Sequence, residues 1–323
     1  QGVVAGGTAT FGVTASGTPP LAYQWRKDGV AIPGATASSL TLVGVAAADQ
    51  GAYSVVVTNA LGSVTSPAAS LTLGSSRLTN LSVRTSAGTG DNSLIVGMVI
   101  GGNGTSGTKP LLLRAVGPTL AGYGVGGALA DPRLTIYSQG VSTPLAGNDN
   151  WGGDAQVAAN AAALGAFPLA SATSKDAALA FAASSGAYSM KVDGVGGATG
   201  IALAEVYDAS AGDTTAAVPR LINISARAPV GTGDGMLIAG FVIAGSASRT
   251  VLIRAVGPTL ADYGVPGALA DPQLELSQTV NGATVVLASN DNWGGSTPTA
   301  TAANAVGAFA LSSVASKDAA MVV

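Results

Sequence analysis

RAVGPTLAGYGVGGALADP, residues Arg114–Pro132, returns as RAVGPTLADYGVPGALADP at Arg254–Pro272, identical at 17 of 19 positions. The sequence on either side repeats in the same order. RLTNLSVRTSAGTGDN (Arg77–Asn92) matches RLINISARAPVGTGDG (Arg220–Gly235), and GNDNWGG (Gly147–Gly153) matches SNDNWGG (Ser289–Gly295). TSKDAA (Thr173–Ala178) matches ASKDAA (Ala315–Ala320) in all but its first residue. A spacing of about 140 residues is too long for a solenoid and suits whole domains in tandem. Such tandem copies point to a spacer, a stalk or a multivalent surface.

Within the first copy, LTNLSVRT, SLIVGMVI, PLLLRAV, RLTIYS, AALAFAA, AYSMKVDG and IALAEVYD are short β-branched or alternating runs that read as seven strands. Asp154–Ala166 is alanine-rich and predicts one short helix. Upstream, YQWRKDG (Tyr23–Gly29) alternates and turns at Asp28-Gly29, SLTLVGV (Ser39–Val45) alternates again, and DQGAYSVVVTNALGS (Asp49–Ser63) precedes SLTL (Ser70–Leu73). Strands at this spacing predict a sandwich. The expected organisation is all-β, in tandem antiparallel β-sandwiches. Residues 1–73 form one domain, 77–210 a first repeat, and 220–323 a second repeat that is incomplete at its C-terminal side. Gly74–Ser76 and Ala211–Pro219 read as linkers.

Trp25 followed by the D-x-G-x-Y pattern Asp49-Gln50-Gly51-Ala52-Tyr53 resembles an immunoglobulin-like domain of the I-set type over nearly all of residues 1–73. The resemblance implies that Trp25 is the core tryptophan and Tyr53 the residue of the tyrosine corner. It places the family's two disulfide cysteines at Val13 and Val55, where an apolar pair fills the core without a cross-link. The two copies resemble repeats of large secreted bacterial surface proteins. Their later half looks similar to the pre-peptidase C-terminal domain, which implies a jelly-roll-like, non-catalytic accessory fold.

Composition narrows the function. Only 10% of residues are charged and 47% are hydrophobic, which is the opposite of a disordered chain. Net charge is −3 and there is no basic tract, so nucleic acid is not an expected partner. No apolar run reaches the ~18 residues of a membrane-spanning helix, so membrane insertion is not expected either. Cysteine and histidine are both absent. That removes thiolate chemistry, cysteine–histidine zinc sites and every histidine-based triad. The only glutamates, Glu205 and Glu275, fall at non-equivalent places in the copies, so no paired-carboxylate site repeats. The chain is expected not to be an enzyme.

Residues kept in both copies mark what the repeat needs. Asn148, Asp149, Asn290 and Asp291 lie in the two N-D-N-W-G-G runs. With Asp131 and Asp271, each preceding a proline, they form a candidate Ca²⁺ site, since calcium takes six to eight oxygens. The same residue types also build polar turns. Trp151 and Trp293 are candidate binding residues, for a sugar ring or a protein partner, or else covers over the end of the core. Arg114 and Arg254 close apolar strands and are expected to pair with Asp131 and Asp271.

These features predict an extracellular structural protein, part of a bacterial surface array or filament that associates with neighbouring copies of itself. The alternatives are a surface- or glycan-binding adhesin module and an accessory region of a secreted hydrolase. Val323 aligns with Phe181, so the second copy has no counterpart of Ala182–Ser210 in this sequence. Two expectations follow: an excerpt of a longer polypeptide, or strand complementation by a neighbouring molecule.

Overall fold

The computed structural model of the chain describes residues 1–102, 104–210 and 218–323. Most of the expected linker Ala211–Pro219 lies outside the described residues. The described chain is built of strands with two short α-helices, and it divides into two compact units, Gln1–Ser248 and Arg249–Val323.

The first unit opens with an immunoglobulin-like sandwich. Its strands are β1 (Gly2–Val3), β2 (Thr8–Gly12), β3 (Ala22–Lys27), β4 (Val30–Ala31), β5 (Ser39–Val43), β6 (Gly51–Asn59), β7 (Gly62–Thr65) and β8 (Ala69–Leu73). One sheet runs β1-β8-β6-β3-β4 with β7 on β6, and β2 and β5 form the other. The β1–β8 pair is parallel, an exception to the otherwise antiparallel pairing of this domain. The β3–β4 turn places Asp28 (φ 50°) and Gly29 (φ 82°) in the left-handed region that a two-residue hairpin requires. Trp25 is buried beside Phe11, which stacks on Tyr53 at 4.8 Å between ring centroids. The Tyr53 hydroxyl donates to the Asp49 carbonyl at 2.7 Å, closing the tyrosine corner. Val55 is buried and Val13 packs, half-buried, against the same cluster.

The first copy contributes β9 (Ser76–Ala87), β10 (Leu94–Gly101), β11 (Thr108–Val116), β12 (Pro132–Ser138), β13 (Ala146–Asn148), α1 (Ala155–Ala163), β14 (Ala177–Ser184), β15 (Gly186–Gly194) and β16 (Gly200–Asp208). All seven strands read from the sequence are present, and the alanine-rich stretch forms α1, capped by Asp154 through the Val157 amide at 2.9 Å. Two further strands come from the second copy: β17 (Arg220–Arg227) and β18 (Ile238–Gly245). One face runs β14-β11-β16-β9-β18 and the other β13-β12-β15-β10-β17. A single bridge, Leu221 to Leu78, joins them. Between the faces lies one core, in which Val83, Val96, Met98, Leu113, Leu134, Met190 and Val206 are buried together with Leu221. Ile224, Ala226, Leu237 and Phe241 pack against it. The opening two strands of the second copy, one on each face, therefore belong to the first copy's core.

The second unit carries β19 (Leu252–Ala255), β20 (Leu274–Val280), β21 (Ala283–Asn290), α2 (Thr297–Ala305) and β22 (Ala319–Val322). Among the described residues these strands form two ribbons, β19–β22 and β20–β21. Segment 220–323, read from sequence as one repeat, is thus divided between the two units.

Candidate functional site

The residues kept in both copies gather where three loops meet. The G-P-T turn after β11 starts at Gly117. A Cβ there would sit 2.0 Å from the Leu129 carbonyl oxygen, and at the equivalent Gly257 2.1 Å from that of Leu269, so only glycine fits either position. Asp176 receives this turn. Its carboxylate accepts from the Gly117 amide at 2.8 Å, from the Thr119 amide and hydroxyl, and from the Ser174 hydroxyl. Asp318 repeats the arrangement with Gly257 (2.7 Å), Thr259 and Ser316. The backbone of Asp176 accepts from the Trp151 amide at 2.9 Å, and that of Asp318 from the Trp293 amide at 2.9 Å. Burial alone would raise the Asp318 pKa, but the bonds donated by Ser316, Thr259 and Gly257 hold it below the ordinary value.

The N-D-N-W-G-G runs are fastened to this hub. Asn148 accepts from the Ala178 amide at 3.0 Å and donates to the Asn150 carbonyl at 3.0 Å; Asn290 does the same with Ala320 and Asn292. Both ends of each amide are thus used on backbone. Asp149 and Asp291 are exposed. Asp131 is ion-paired with Lys175, and Asp271 with Lys317. Among the described residues no three carboxylates gather where a metal could take them. Trp151 is half-buried, packs with Leu112, Val157 and Tyr207, and donates its indole N–H to the Ser171 carbonyl at 2.9 Å. Trp293 donates to the Ser313 carbonyl at 2.9 Å.

Arg114 corrects the sequence expectation. Its carboxylate is Glu205 of β16, at 2.8 Å with both side chains buried, because Asp131 is held by Lys175. The guanidinium also lies 4.4 Å over the Phe167 ring and donates to the Phe167 carbonyl at 2.7 Å. Glu205 in turn accepts from Tyr207 at 2.8 Å and Ser82 at 3.2 Å. Burial, reinforced by the Glu205 charge, pushes the Tyr207 hydroxyl pKa upward. Arg254 keeps the aromatic contact, 4.2 Å over Phe309, and the 2.7 Å bond to its carbonyl. Its carboxylate is not Asp271, which Lys317 holds. Burial pushes the Arg254 pKa down, against the nearby Asp318 and Tyr263.

A second buried ion pair, Lys109–Asp208 at 2.7 Å, was not foreseen, and Arg77 approaches the same carboxylate at 3.5 Å. The positions equivalent to Glu205 and Asp208 would fall past residue 323, so repetition gave no signal for them. Thr119/Thr259 and Ser174/Ser316 are kept in both copies and were legible by that test.

Residues 1–73 match the Immunoglobulin I-set domain. The I-set assignment therefore covers the first sandwich, where Trp25 and Tyr53 occupy the core and corner positions. A 55-residue stretch of the chain is 46% identical to the "Decoration protein" of Escherichia phage T5. That alignment covers 17% of this chain and 34% of the phage protein. No helix among the described residues is long and apolar enough to cross a membrane.

Proposed function

We propose that this chain is a non-catalytic structural protein, a modular segment that extends or decorates a larger extracellular or virion-associated assembly. One observation carries the reading. Three pairs of polar residues that the repeat keeps, Asp176/Asp318, Asn148/Asn290 and Asp131/Asp271, are each engaged by partners inside their own copy. They hold three loops together, and their donors and acceptors are spent on one another. The I-set domain and the phage decoration-protein likeness support a structural or decorating role. Sparse charge lowers repulsion between neighbouring copies.

Association with neighbouring copies belongs to the same proposal, as does a place on a bacterial surface. Recognition of surface glycans through Trp151 and Trp293 has less support, since both indole N–H groups are donated internally. A calcium ion at these loops would have to displace Lys175 and Lys317 from Asp131 and Asp271. The test is analytical ultracentrifugation with negative-stain electron microscopy of the full chain across concentrations. Regular oligomers or arrays are expected. A chain that stays monomeric at every concentration, or one that turns over a substrate, would overturn the reading.

A further inference from the structure

The pairing of the second copy's first two strands with the first copy is reciprocal, residue for residue. Position n of the first copy's β9 and β10 corresponds to n + 143 in β17 and β18, as in Arg77/Arg220 and Ile95/Ile238. Arg84 opposes Ile238, and Arg227 opposes Ile95. Ser82 opposes Gly240, and Ser225 opposes Gly97. Asn80 opposes Val242, and Asn223 opposes Val99. The ladder is interrupted once on each side, between Val242 and Ile243 and between the equivalent Val99 and Ile100. Leu78 and Leu221, the same position of the two copies, bridge each other. An equivalent pair in mutual contact is what a two-fold axis produces, and a contact with that symmetry is self-complementary.

Nothing in these strands assigns an edge to one particular copy. β9, β10, β17 and β18 contain no carboxylate. Their arginines face isoleucine, alanine or glycine across the ladder. Leu78, Asn80, Ser82 and Arg84 recur unchanged as Leu221, Asn223, Ser225 and Arg227. Backbone hydrogen bonds in a strand ladder are blind to which chain supplies them. A second chain's β17 and β18 carry the same residues as the chain's own, so they present the same groups to β10 and β9.

We propose that β9 on one face and β10 on the other form a homotypic docking surface that takes β18 and β17 of a second copy of this chain, in the same register as within one chain. This rests on the assembly reading above and names its contact. The tethered partner has an effective concentration on the order of millimolar. Exchange between chains therefore shows when chains refold together or are highly concentrated.

The chain has no cysteine, which makes the test clean. Arg84 and Ile238 are exposed, and directly opposed residues lie within disulfide reach. A full chain carrying Arg84→Cys and a mass-tagged full chain carrying Ile238→Cys are refolded together and mildly oxidised. A mixed disulfide between positions 84 and 238 is expected, with a yield that rises with concentration. It should exceed by at least about 10-fold the yield of the out-of-register pair Arg84→Cys with Val242→Cys. The double variant Arg84→Cys/Ile238→Cys, dilute, reports the register within one chain. If it closes its disulfide while the mixed dimer never exceeds the out-of-register control, the proposal is overturned. If the double variant fails to close, the register is wrong and the proposal falls with it. Oligomers that persist without this link would leave the assembly reading standing and remove this contact from it.

Discussion

Arg114 and Glu205 stand 91 positions apart in sequence and 2.8 Å apart in space, both shielded from water. The pair ties β11 to β16, whose ladder sets Arg114 opposite Glu205. Breaking a buried pair strands the surviving charge, which costs about 3–5 kcal/mol. Glu205→Gln is expected to lower the unfolding free energy on that scale in urea titrations. Arg114→Met with Glu205→Leu should recover part of the loss, because neither charge is then left alone.

Acid should weaken the fold through Asp318 and Asp193. At Asp193 burial raises the pKa, but Arg133 and Lys191 outweigh it and the net shift is downward. Asp318 is lowered by its hydroxyl and amide donors. A carboxylate whose folded pKa lies below its ordinary 3.8 adds stability that is complete above that value. The contribution is lost as pH falls through the lower, folded pKa. Urea midpoints measured from pH 7 to pH 2 should therefore drop below about pH 4. Asp318→Asn should start lower at pH 7 and fall less steeply.

Gly245 has φ 132°, and a Cβ there would lie 1.9 Å from the Ser75 carbonyl oxygen. Gly245→Ala is expected to open the end of the β9–β18 ladder, read as faster amide exchange over residues 238–245. Gly240, on the same strand, has nothing within 4 Å of such a Cβ. Gly240→Ala should leave exchange unchanged.

Trp151→Ala removes a half-buried ring from the cluster of Leu112 and Val157, together with its bond to Ser171. A loss of about 2–3 kcal/mol is expected, smaller than for a fully buried tryptophan. Glycan-array binding should be the same with and without the substitution.

Calcium is expected to leave thermal unfolding unchanged. Lys175 already neutralises Asp131 and Lys317 neutralises Asp271. Melting temperatures in 5 mM EDTA and in millimolar calcium should coincide; a rise with calcium would show that the ammonium groups are displaced.

Much of this molecule was legible in the order of its residues. The strand runs of the first copy and the Ala-rich helix fall where β-propensity, alternation and alanine content put them. Trp25 and Tyr53 sit in the core and the corner because the D-x-G-x-Y pattern encodes a local turn whose hydroxyl bond spans four residues. The loop hub was half legible: the repeated run S-K-D-A-A carries Asp176 and Asp318, but does not say what they bind. Trp151 and Trp293 were left between ligand contact and core cover, and burial with an internal N–H bond supports the second.

Local pattern determined the strand runs of the first two segments, the alanine-rich helix and the turn at Asp28-Gly29, since those follow from side-chain alternation and backbone preference over a few residues. Edge pairing was decided only in three dimensions. Backbone donors and acceptors are alike on every strand, so nothing in RLINISAR says that it will lie against β10 of the other copy. Arg114 found Glu205 for the same reason: partners of buried charges are set by which strands become neighbours, and that is a property of the whole core.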